Sequence, residues 1–251
     1  MEDKFIQFDE YKLEKRSKIS TMDTIISNNE DFKESEIDVL FRGYIVLIYA
    51  FWEGIYKKIG DLFYEFFINR QIKELPYGIR NLVIIELSTD RNDRNCKIGE
   101  IPDYRKIVNI NKKINELLNK KMLDCSDYER SQRHFKEQTS NPNYDKLEKF
   151  LGKYNISLKK VINELLEGET IPENFIERLE FIVEARNNIA HGNENLGRHS
   201  NYKDYITERF LENRSSTAIE VSEFLRYTAF YIDTLYRSII DTFKDKYMHH
   251  E

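Results

Sequence analysis

The sequence predicts an all-α fold, a helical bundle interrupted by an insertion in the middle of the chain. Three observations predict it. Only 9 Gly and 4 Pro occur in 251 residues, too few for the many turns of an all-β protein of this size. Apolar residues recur at i, i+3/i+4 and i+7 through a long early stretch. The same spacing returns in a segment ending at His191-Gly192 and again near the end of the chain. The length allows a single domain over 1–251, with 88–170 as an insertion within it.

Taken in order, Glu2 to Ser27 reads as a charged amphipathic helix, broken at Asn28-Asn29. Ser35 is a candidate N-cap for the next helix, which runs to about Arg70. Ile37, Leu40, Phe41, Tyr44, Ile48, Phe51, Ile55, Ile59, Leu62 and Phe66 form its stripe, and Leu47, Trp52, Phe63 and Phe67 widen it. A helix so broadly apolar is expected to be buried on more than one side, in its own bundle or against a second subunit. Pro76 opens a shorter helix to about Leu87. A polar stretch, Ser88 to Pro102, follows, and Asp103 to Lys120 reads helical again. Asp124 to Asn143 lacks periodicity and reads as a long loop or partly ordered insertion. Short helices are expected near Tyr144–Tyr154 and Ser157–Leu166.

Gly168 closes that unit, and Pro172 sits near the start of the next helix, where proline is tolerated. Phe175, Leu179, Ile182 and Arg186 then share one line. Gly192 is the natural residue to end this helix in the left-handed conformation. Asn193 to Tyr202 is a polar connection, and Ser216 to Lys246 forms the last helix. No internal repeat, heptad pattern or low-complexity tract is found.

The net charge of −5 argues against a general nucleic-acid-coating surface, so any RNA contact must be local. The two cysteines, Cys96 and Cys125, form no CxxC pattern, which fits a reducing cytosol while leaving a single disulfide open. No signal-peptide pattern follows Met1. The most apolar run, Tyr44 to Phe51, is too short to span a bilayer and reaches further only through Glu53. A cytoplasmic protein without a membrane contact is expected.

Phosphate-binding glycine loops, HExxH, zinc-type His/Cys spacing and a Gly-x-Ser-x-Gly elbow are all missing. Pro102-Asp103 lacks the Asp/Glu-x-Lys that a metal-dependent nuclease would need. The expectation is therefore no metal and no cofactor. What remains is Glu184-Ala185-Arg186-Asn187-Asn188-Ile189-Ala190-His191-Gly192. A fixed charge on the apolar line is expensive unless it is paired or used. His191 follows about 7.5 Å along the axis. Imidazole can take the proton of a ribose 2′-OH or protonate the leaving 5′ oxygen. Guanidinium can hold the phosphate by two hydrogen bonds and stabilise its transition-state charge. Asn187 can position either side chain.

An Arg, a polar residue and a His late on one helix resemble the Arg-x4–6-His motif of the HEPN superfamily. Tyr49-Ala50-Phe51-Trp52-Glu53-Gly54 is similar to the Tyr-x-x-Trp-Glu-Gly region of stand-alone bacterial HEPN proteins tied to toxin–antitoxin and phage-defence loci. The segment from about Ser88 to Thr170 carries no such likeness. The resemblance implies a HEPN-like bundle and a homodimer whose two motifs face each other in a composite site. It also implies metal-independent endoribonuclease activity that leaves a 2′,3′-cyclic phosphate, with Arg186 and His191 as the catalytic pair beside Asn187. RNA would be the substrate, and a cognate antitoxin or defence-system partner would restrain the enzyme. Some family toxins have a modifiable Tyr two residues after the His. Here Asn193 stands there.

Plainer readings stay open beside this one. Arg186 can be a structural arginine whose best partner is Glu53, which would otherwise orient it for catalysis. His191 can answer the helix dipole. Trp52 and the aromatic stripe fit a core or a dimer interface. Tyr128, Arg130, Arg133, His134, Phe135 and Lys136 mix basic and aromatic types. Arg130, Arg133 and Lys136 are therefore candidate RNA contacts, or a solvated loop. A non-catalytic HEPN module that binds RNA or a nucleotide, or scaffolds a partner, is the alternative function, and a purely structural adaptor is a third.

Overall fold

The structure is a computed structural model that describes residues 2–28, 34–88, 104–125, 128–135, 142–192 and 218–248. These residues form nine α-helices and two short 3-10 turns, with no strand among them. In order they are α1 (Glu2–Ser27), α2 (Glu34–Phe67), α3 (Tyr77–Ser88), α4 (Tyr104–Leu118), α5 (Tyr128–Phe135), α6 (Tyr144–Gly152), α7 (Leu158–Glu167), α8 (Phe175–Ala190) and α9 (Ala218–Tyr247).

The apolar stripe of α2 makes it the central helix. Phe41, Tyr44, Ile45, Ile48, Phe51, Trp52, Ile55, Ile59 and Phe63 are all buried, and α1, α8 and α9 pack around them. Its start precedes Ser35, so Ser35 lies inside the first turn and is not the cap; helix ends are routinely read a residue or two apart. One expectation needs correcting. By length and apolar content, α2 is long enough to cross a bilayer, although half of its most apolar window is buried inside the protein. Complete burial of an aromatic or branched side chain stabilises by about 1.5–3 kcal/mol, which favours the core position of these residues.

Helix α1 runs antiparallel to α2 and α9. Phe5, Phe8, Ile19 and Ile26 give it an apolar face. Its charged residues also bind inward. Asp233 of α9 is nearly buried, and Lys12, Arg16 and Arg237 reach it at 3.5, 3.3 and 3.1 Å. A buried carboxylate without such partners would be strongly destabilising.

The far end of the bundle is an aromatic cluster. Phe63 stacks on Phe243 at 4.0 Å and meets Tyr154 edge-on at 4.6 Å. Tyr154 donates its hydroxyl to the Phe135 carbonyl at 2.8 Å, and Tyr247 donates to the Tyr154 carbonyl at 2.6 Å. Burial pushes the Tyr247 phenol up to about 12. The described part of 88–170 thus contributes to the same core as the flanking helices.

Within the stretch 124–143, expected to be a loop, α5 is helical. Eight residues are too few to show a period, and the helix is fixed by tertiary contact. Phe135 is fully buried, 5.5 Å from the ring of Tyr64. The short helices α6 and α7 fall where expected. Asn143 and Ser157 cap them by accepting from the amides of Lys146 and Lys160 at 3.0 and 3.3 Å. The helix expected from near Pro172 starts later, at Phe175. Pro172 instead supplies a carbonyl to the Phe175 amide at 3.0 Å.

Candidate functional site

The site is built on the last two turns of α8. Phe175, Leu179 and Ile182 are buried, and Phe181, Val183 and Ala185 bury a second face. Arg186 continues the first line but is half-buried. Its guanidinium lies over the ring of Tyr49 on α2, 4.6 Å from the centroid. Nη1 donates to Asn187 Oδ1 at 3.2 Å. A cation over an aromatic face gains about 0.5–2 kcal/mol, more as water is excluded. The charge on the apolar line is thereby accommodated.

The backbone stops at the next residues. The His191 amide donates to the Asn187 carbonyl at 3.0 Å, and the Gly192 amide to that of Ile189 at 3.1 Å. Gly192 has φ +70°, in the left-handed region where glycine carries no steric penalty. The stop expected at His191-Gly192 is therefore present. His191 is exposed. Five residues correspond to about 140° around a helix, so Arg186 and His191 leave α8 in divergent directions. Within one chain, Arg186 is backed by α2 while His191 faces solvent.

The chain matches the RiboL-PSP-HEPN family over residues 10–241. It belongs to that family. The match takes in the segment 88–170 that carried no likeness by motif. No curated protein and no solved structure matches the chain. HEPN membership gives the all-α bundle a family and associates this domain with RNA cleavage or RNA binding.

The Trp-Glu-Gly segment of this HEPN chain has a structural part. Trp52 Nε1 donates to the Pro142 carbonyl at 2.7 Å, and its ring lies 5.1 Å from that of Tyr236. Trp52 is core. Glu53 accepts from Lys57 Nζ at 2.8 Å. The expected Glu53–Arg186 pair is not formed. The i,i+4 spacing brings the lysine to the carboxylate along one helix face, on the side of α2 near Tyr11. Gly54 lets Tyr11 approach: a Cβ there would lie 1.7 Å from the Tyr11 Oη. Tyr49, quoted in the motif without a role, is the platform under Arg186.

Of the basic candidates Arg130, Arg133 and Lys136, the structure describes the Arg133 side chain, which is exposed. Arg133 is hydrogen-bonded and ion-paired to Glu86 of α3. Burial raises Glu86, but Arg133 offsets this and leaves the carboxyl below its usual range. His134 Nε2 stands 3.7 Å from the same carboxylate, too far for a hydrogen bond. Burial, then the Arg133 charge, push its imidazole down. The Arg130 side chain, Lys136, Asn193, His199 and the terminal His249-His250 lie outside the described residues, as does Cys96. Cys125 is a free, buried thiol. Among the described residues, no three His, Cys, Asp or Glu side chains gather as metal ligands.

Sequence reasoning passed over Arg178, also on α8. Asn174 Oδ1 accepts from its Nε at 2.8 Å, and its guanidinium lies 4.5 Å above Phe224. Its signal was available, an arginine two turns before Arg186, but charged residues at such spacing are commonplace on helices.

Proposed function

We propose that this chain is an endoribonuclease that cuts RNA without a metal, using Arg186 and His191. The observation that carries the reading is the held guanidinium. Tyr49 and Asn187 fix Arg186 near the end of α8, the helix that ends at an exposed His191.

In the proposed reaction the 2′ oxygen of the ribose attacks the adjacent phosphorus. A neutral imidazole takes the 2′-OH proton, the P–O5′ bond breaks, and an imidazolium returns a proton to the leaving O5′. The products are a 2′,3′-cyclic phosphate and a 5′-hydroxyl end. Arg186 binds the non-bridging phosphate oxygens and stabilises the charge that builds on them. Asn187 holds Arg186 in register. One histidine cannot act as both base and acid in a single concerted step. A homodimer that sets two copies of the motif face to face supplies two, and would bring a partner His191 opposite an Arg186 from which its own His191 diverges. On this reading the enzyme would act as a cytoplasmic toxin or phage-defence effector restrained by a cognate partner.

The test is RNA cleavage in EDTA by the wild-type chain and by His191→Ala. Cleavage by wild type alone, leaving cyclic-phosphate ends, is the expected result. Equal cleavage by both would remove His191 from the mechanism. A second reading is a module that binds RNA without cutting it. The divergence of Arg186 and His191 favours it if the protein is a monomer, and its mark is salt-dependent RNA binding without products.

A further inference from the structure

Arg178 lies about 12 Å before Arg186 along α8. Its guanidinium is half-buried between Phe224 at 4.5 Å and Tyr231 at 5.7 Å. Asn174 fixes its Nε. Among the described residues no carboxylate pairs with it. A desolvated arginine normally has an acidic partner, because burying the charge alone is costly; burial here depresses its pKa. With Nε held by Asn174, the two Nη groups remain as a fork, the geometry that matches a phosphate or carboxylate with two parallel hydrogen bonds.

Beside this fork the surface is aromatic. Tyr231 stacks with Tyr227 at 6.2 Å and 22° and touches Phe230 at 5.9 Å. Tyr227 and Phe230 are 46% and 50% exposed, which is unusual for rings this size. They continue into a shallow apolar groove between α1 and α9, floored by Ile19 and Ala229. Arg226 lies over Tyr227 at 5.1 Å, but Asp23 and Glu223 balance its charge at 3.7 and 3.5 Å. Arg16 is likewise held by Asp233. Arg178 differs from both in having no carboxylate partner among the described residues.

We propose that Arg178, Tyr227 and Phe230 form a subsite for single-stranded RNA, with a backbone phosphate on the Arg178 fork and unpaired bases on the two exposed rings. The inference rests on the RNA reading of the Arg186/His191 centre. It adds a substrate class, because an A-form duplex hides its base faces whereas a single strand presents them. It also answers the acidic net charge: the strand is gripped by stacking and one oriented arginine in place of a basic surface.

The experiment uses the full-length His191→Ala chain, so that RNA is not consumed, and a short fluorescein-labelled single-stranded RNA of mixed sequence. Affinity is read by fluorescence anisotropy, and oligomeric state by light scattering on the same samples. Tyr227→Ala and Phe230→Ala are surface changes and should each weaken binding about fivefold or more. Tyr227→Trp should hold the affinity. Arg178→Gln should weaken binding and flatten its salt dependence, whereas Leu123→Ala, an exposed aliphatic residue on the 3-10 turn Met122–Asp124, should leave it in place. Undiminished affinity in both ring variants overturns the subsite. So does a loss of self-association with unchanged RNA affinity, which would make the patch a protein interface. If wild-type protein still cuts RNA in either case, the RNA reading of the centre stands without the subsite. No RNA binding by the parent chain overturns both.

Discussion

Gly54 is the position where the structure predicts a change of sign. It sits inside α2, where replacing glycine by alanine normally gains about 1 kcal/mol from helix propensity. Here the added Cβ would lie 1.7 Å from the Tyr11 Oη and 2.9 Å from its Cζ. Neither distance is tolerable, so the phenol must move. Moving it disturbs the ammonium groups of Lys15 and Lys58, which lie over the ring at 5.3 and 5.7 Å. Overpacking of this kind costs about 1–3 kcal/mol. The net effect of Gly54→Ala is then a loss of roughly 0–2 kcal/mol in the native background. In a Tyr11→Ala background the clash is gone and the propensity gain remains. There the same substitution should stabilise by about 1 kcal/mol. Urea unfolding of the four proteins in this double-mutant cycle measures the difference, a coupling of roughly 1–3 kcal/mol. An equal effect of Gly54→Ala in both backgrounds would show that Tyr11 does not occupy this space. The glycine of Trp-Glu-Gly would then need another explanation.

Three further outcomes are expected. Gly78→Ala places a Cβ 2.8 Å from the Lys153 carbonyl oxygen, a backbone atom that cannot swing aside, so urea unfolding should show a loss of about 1–3 kcal/mol despite the propensity gain. Tyr49→Phe keeps the face under Arg186 and should keep RNA cleavage, whereas Tyr49→Leu should lower it about fivefold; equal rates in the two variants would remove Tyr49 as the platform. The native imidazole of His134 sits below its ordinary value, because of burial and Arg133, so the unfolded chain binds a proton first. Stability should be full above about pH 6.5 and fall as pH drops toward the depressed native value. His134→Gln should flatten that window in thermal melts taken across pH. Glu86, also depressed, acts in the same direction, but further down, in the carboxylate range.

The bundle was legible because its long helices carry their own period. α2 and α8 bury stripes that any chain with those residues would have to bury, and Gly192 ends α8 where its φ of +70° requires. The helix α5 was not legible, since its eight residues are fixed by Phe135 entering a pocket made by distant Tyr64 and Phe67. The Arg-x4-His pair was readable as chemistry. Its setting was not: Glu53 was the nearest acid by helix position, yet the lysine one turn away on the same helix takes it. Tyr49 holds Arg186 by its ring face, and face contacts leave no charge complementarity in a sequence to be matched. Arg178 escaped for the same reason, because Phe224 and Tyr231 hold it.

The divergence of Arg186 and His191 can be turned into a decision about how subunits share the proposed site. Suppose each site takes Arg186 from one protomer and His191 from its partner. A dimer of Arg186→Ala with His191→Ala then contains one site with both residues and one with neither. With random exchange half the dimers are mixed, so two inactive proteins should together recover roughly a quarter of wild-type cleavage. Failure to recover, with wild type active, leaves two arrangements. Either each chain cuts alone, or every site needs both copies of both residues. Mixing wild type with excess His191→Ala separates them. Independent sites leave each wild-type chain working at its own rate, whereas a fully shared site is poisoned in every mixed dimer and the activity collapses. A base and an acid are both needed in one step, and one histidine cannot be both. On the proposed mechanism, poisoning is therefore the expected outcome; recovery would come from a site that holds a single His191 and would mean that another group makes the second proton transfer. Independent full-rate sites would mean that a second proton-transfer group in the same chain must be sought.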